Sequence, residues 1–62
     1  MLYKNFETKT HNGMVEINTG DIIAYEKKAQ HREFKGHINN VVNAFPFTDT
    51  DFIILKAREL IN

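Results

Sequence analysis

The sequence predicts an all-β fold, a single small five-stranded barrel spanning residues 1–62, with a short C-terminal helix as an optional tail. Three observations lead there. Turn formers at Asn12-Gly13, at 18–21, and at Pro46 and 48–51, with a polar connection at 29–32, divide the chain into five short stretches. Within these stretches β-branched and aromatic residues sit among polar ones, often at every second position. Cysteine is absent, so no disulfide or thiolate-bound metal staples the fold. A chain this short needs a closed core, and closure also protects edges that an open sheet leaves unpaired.

The elements follow in order. Asn12-Gly13 is the dipeptide that best accommodates a two-residue hairpin turn, so 2–10 and 14–18 are expected to pair antiparallel. Leu2, Lys4, Phe6 and Thr8 share one face of the first strand, a weak amphipathicity suited to an edge. After the turn at 18–21 comes a strand through Ile22 and Tyr25, ending at Lys27-Lys28, with Ile23 and Tyr25 assigned inward. The next strand covers 34–42, with Phe34, Gly36 and Ile38 on its inner face and a bend or bulge at Asn39-Asn40 before Val41. Residues 52–62 admit two readings. As a strand, 52–57 turns Ile53, Leu55 and Ala57 inward and closes the barrel. As a helix over 51–61, Ile53, Ile54, Ala57, Leu60 and Ile61 form one face behind capping threonines and aspartates, giving an α+β fold instead. The expected core is Phe6, Val15, Ile17, Ile23, Tyr25, Phe34, Ile38, Val41, Ile53 and Leu55.

Composition narrows the class of protein. Eight basic and eight acidic side chains cancel, so total charge draws the chain toward neither nucleic acid nor membrane. The opening residues lack the apolar run of a signal peptide, and no stretch approaches the roughly 20 apolar residues of a membrane span. With no Asn-X-Ser/Thr acceptor either, the expected location is cytoplasmic. The abundance of Asn, Ile and Lys is the bias that AT-rich codons impose. Size and composition are those of small phage or bacterial accessory proteins.

One segment carries a resemblance. Gly20-Asp21 followed by Ile23 and Tyr25, then Lys35-Gly36 followed by Ile38 and Val41, resembles the KOW-type and Src-homology-3-like small barrels over about residues 19–41. The chain departs from that pattern in lacking a second glycine ahead of Lys35 and in placing His37 where small residues are common. The resemblance implies a barrel, and RNA or nucleoprotein partners on its loops.

Chemistry is sparse. Serine and cysteine are absent, removing the usual nucleophiles, and Gly13, Gly20 and Gly36 are too dispersed to form a phosphate loop. His11, His31 and His37, even with Glu33, have no metal-ligand spacing, and Asp49 and Asp51 are ordinary turn and cap residues. The expectation is therefore no enzyme, no cofactor and no metal. What stands out is residues 27–37, where Lys27, Lys28, Arg32 and Lys35 face a single Glu33 and are joined by His31 and His37. A basic rim of this kind suits an acidic or anionic protein, nucleoprotein or nucleic-acid partner. Phe45-Pro46-Phe47 places two aromatics around a rigid proline and suits an interface anchor. The expected function is a non-enzymatic module that binds and modulates a larger host protein or nucleoprotein, with a KOW-like RNA- or DNA-binding protein as the alternative.

Overall fold

Strands β1 (Tyr3–Glu7), β2 (His11–Glu16), β3 (Asp21–Glu26) and β4 (Glu33–His37) precede one helix, α1 (Asp49–Ile61), in the computed structural model, which describes residues 2–42 and 45–61. The strands pair antiparallel in the order β1-β2-β3-β4. Helix α1 packs across one face and touches all four strands, giving two layers within 27 × 27 × 15 Å. The sheet does not close into a barrel, and the expected fifth strand at 52–57 is helical. Of the two readings of the C-terminal run, the α+β one describes the fold.

Local chemistry explains the helix. The Thr48 N–H donates to Asp51 Oδ2 at 2.8 Å and the Asp51 N–H donates to Thr48 Oγ1 at 3.3 Å, a reciprocal cap that satisfies two end groups. Asp49 and Asp51 lie at the positive end of the helix dipole and Arg58 in the last turn. The wheel then turns Ile53, Ile54 and Ala57 into the core, with Leu60 and Ile61 partly buried beside them. Phe52 to Leu55 are good strand formers, but one strand cannot cover the apolar face of four, whereas a helix can. Packing overrides propensity here.

The first hairpin is antiparallel as expected, but its turn and register differ. Asn12 and Gly13 lie inside β2, opposite Glu7 and Phe6. The reversal is made at 8–10, where Thr8 Oγ1 accepts from the N–H groups of His11 (3.0 Å) and Thr10 (3.3 Å). Gly13 serves packing instead: a Cβ there would lie 2.6 Å from Phe6 Cζ and 2.9 Å from Ala24 Cβ. The second turn falls where the sequence places it. Gly20 adopts φ 83°, its N–H donating to Glu16 C=O at 2.7 Å.

That turn decides the faces of β3. Register sets Val15 opposite Ile22 and Gly13 opposite Ala24, so Ile22 and Ala24 are buried while Ile23 is half-buried and Tyr25 exposed on the sheet's open side. The inward assignment of Ile23 and Tyr25 is thus reversed by one residue. Strand β4 ends at His37 instead of continuing to residue 42. A turn at 38–40 replaces the expected bulge, with Asn40 N–H bonding His37 C=O at 3.0 Å and Arg58 clamping it from the helix, Nε to Ile38 C=O at 2.5 Å and Nη2 to Asn40 C=O at 2.8 Å. Val41, past this turn, is 91% exposed and outside the core, and Leu55 is only half-buried. Phe6, Val15 and Ile53 are core as expected, with Ile17, Phe34 and Ile38 packed at its margin.

Candidate functional site

The basic segment, 27–37, spans the loop that follows β3 and then β4, and the fold brings carboxylates to it. Lys27 Nζ lies 2.6 Å from Glu7 Oε2, Lys35 Nζ 3.1 Å from Glu33 Oε1, and Arg32 Nη1 3.9 Å from Glu26 Oε2. The Lys27 hydrogen bond and charge hold the Glu7 carboxyl below its ordinary range. Among the described residues, Lys28 is the cation of this segment with no carboxylate at ion-pair distance. These pairs are solvent-exposed and contribute little stability, yet they cancel most of the local field that the bare sequence suggests. Glu7 is 20 residues from Lys27, and only the hairpin register makes them neighbours.

The histidines do not converge. His31 is exposed in the loop; His11 Nδ1 is 2.8 Å from Thr10 Oγ1; His37 Nε2 is 2.6 Å from Thr19 C=O while its Nδ1 accepts the Asn39 N–H at 3.1 Å. That pattern assigns His37 the Nε2-protonated tautomer and a role in tying β4 to the β2–β3 turn. Among the described residues no group of three His, Cys, Asp or Glu side chains is placed to hold a metal. Asp51 is buried as a helix cap and Asp49 exposed beside it, so the two acids do not share a cleft.

The start of α1, beside the β1–β2 turn on which Lys27 also docks, carries a pair of aromatic rings. Phe45 is 91% exposed, and Phe47 and Phe52 meet edge to face, centroids 5.5 Å apart at 83°, each still about half exposed. Sequence reading named Phe45 and Phe47 but not Phe52. The helical wheel carries its signal, since Phe52, Lys56 and Glu59 form the exposed row opposite the buried Ile53, Ile54 and Ala57.

Two depressions flank β1. One, about 540 Å³ on the open sheet face, has Met14 and Ile23 as its floor with Asn5, Glu7, Asn12 and Tyr25 around them. The other, about 560 Å³, lies between the β1–β2 turn and α1, lined by Glu7, Lys9, Thr10, Asp49, Phe52 and Lys56. Comparison with protein-family models, with curated proteins and with solved structures returns no match to this chain.

Proposed function

We propose that the chain is a non-enzymatic binding module, of the small phage or bacterial accessory kind, that docks onto and modulates a larger protein or nucleoprotein. The observation that carries this reading is the exposure of three aromatics around the start of α1: Phe45 is 91% exposed, and, two residues on, Phe47 pairs with Phe52, each about half exposed. Aromatic surface left in water forgoes its transfer free energy, and in interfaces such rings are the groups that fill a partner's pocket. The basic rim assists as a steering surface through Lys28 and His31, since Lys27, Arg32 and Lys35 already face carboxylates.

Capture of partners from lysate, with and without nuclease, tests it. Phe45→Ala and Phe47→Ala should abolish capture, while Lys28→Glu with Arg32→Glu should weaken it and flatten its salt dependence. The KOW-like nucleic-acid reading predicts the reverse: capture lost to nuclease, falling steeply with salt, and indifferent to Phe45→Ala. That outcome would replace the protein-partner reading.

A further inference from the structure

We propose that a second copy of this chain docks on the outer face of α1, in an antiparallel pairing whose two-fold axis passes beside Phe52. The inference concerns the chain alone and stands apart from the partner reading above; where both hold, dimer and partner compete for Phe52. Asp49, Phe52, Lys56 and Glu59 follow one another at spacings of three, four and three residues, so they form one row along α1, and all four are exposed. Phe52, between the acid and the base, is a large ring 48% exposed to water. Lys56 Nζ approaches Glu59 Oε2 only to 3.8 Å, and among the described residues Asp49 has no cation at ion-pair distance.

The order of charges selects the occupant. Asp49 lies three residues before Phe52 and Lys56 four after it, about 4.5 and about 6 Å along the helix axis. Turned end for end, the same row presents a base where it had an acid and an acid where it had a base. Two copies so paired set each Asp49 against the other copy's Lys56, twice by symmetry, with the two Phe52 rings between them. A parallel pairing would face like against like. A foreign partner would have to bring this order of acid, ring and base, whereas the chain brings it by itself. Eight acidic and eight basic side chains also leave no net repulsion between copies. Asp49, Phe52 and Lys56 form one wall of the groove of about 560 Å³ and the β1–β2 turn the other, so a docked copy meets that turn as well. There Glu7 is already held by Lys27 at 2.6 Å, and Lys9 has no carboxylate at ion-pair distance among the described residues, leaving its charge for the other copy's acids. One helix face and one turn place the contact at the low end of interface sizes, under about 1,200 Å², so the dimer is weak and reversible.

Sedimentation equilibrium of the pure chain, from about 10 μM to about 1 mM, reads the association. The expected result is a reversible dimer that weakens as salt rises. Phe52→Ala and Lys56→Glu should each weaken it about tenfold or more, the second because it sets a carboxylate opposite each Asp49. Lys35→Glu is the control: it changes the net charge equally but lies on the open sheet face beside Ile23, and it should leave the dimer unchanged. Asp49→Lys should fail to pair with itself, as Lys56→Glu does. Mixed, those two variants should form a heterodimer, because one copy then carries cations at both positions of the row and the other carries acids. Circular dichroism confirms that each variant is folded, and if Asp49→Lys disturbs the helix start, Phe52→Ala and Lys56→Glu carry the test by themselves. A chain still monomeric at about 1 mM, association unchanged in both Phe52→Ala and Lys56→Glu, equal weakening by Lys35→Glu, or folded single variants that do not combine on mixing would overturn the inference. The first of these outcomes would leave the row to a foreign partner.

Discussion

Glu16 is buried, yet it is charged for a structural reason. Its carboxylate accepts N–H groups from Asn18 (3.1 Å), Thr19 (2.8 Å) and Leu2 (3.3 Å), tying the β2–β3 turn and the start of β1 to one side chain. The Asn18 bond, helped by Thr19 and Leu2, holds its pKa below the ordinary glutamate range against the desolvation that opposes it. A folded-state pKa below the unfolded one contributes stability at pH values above the unfolded range, lost as pH falls through the folded value. Thermal unfolding should therefore be flat near neutrality and decline in acid below about pH 4.3. Glu16→Gln should lower the midpoint at pH 7 and reduce the acid slope, leaving the part owed to Glu7, which shifts in the same direction. Gly13→Ala is a second residue-scale prediction. Its Cβ has no room between Phe6 and Ala24, so urea unfolding should show a loss of about 1–3 kcal/mol.

Element by element, the burial pattern separates neighbours. Ile22 faces the helix and is 1% exposed, whereas Ile23 lies on the open face. Ile22→Ala should cost about 2–5 kcal/mol and Ile23→Ala clearly less, a contrast that urea denaturation of the two variants measures directly. Helix α1 depends on its cap and on its inner face. Thr48→Ala should cost about 0.5–2 kcal/mol, and Ile54→Ala about 2–5 kcal/mol because a fully enclosed side chain leaves a cavity.

For the molecule as a whole, the helix is what makes four short strands into a domain. Val15, Ile22 and Ala24 on the sheet are buried against Ile53, Ile54 and Ala57, so a chain ending at residue 48 should lose its cooperative unfolding transition, as followed by circular dichroism. The open sheet keeps two edges, both only five residues long and each bearing a lysine, Lys4 on β1 and Lys35 on β4.

Turn chemistry and residue type were enough to give four strands in antiparallel succession, the Gly20 turn and much of the core, including Phe6, Val15 and Ile53, while the first turn lies at 8–10 and not at Asn12-Gly13, and β4 ends at His37. These are local properties: a φ of 83° at Gly20 and alternating polarity leave marks within a few residues. The candidate loops at 27–37 and at Phe45 and Phe47 were legible for the same reason, as local runs of charge and of aromatics. Long-range choices were not legible. Whether 52–55 is strand or helix depends on what must cover the sheet, and whether Ile22 or Ile23 faces inward depends on a one-residue register set by the turn at 17–20. The carboxylates that neutralise Lys27 and Arg32 arrive through strand pairing and the loop's path. Tertiary structure decided these because each is settled by groups distant in sequence competing for one buried face or one exposed charge.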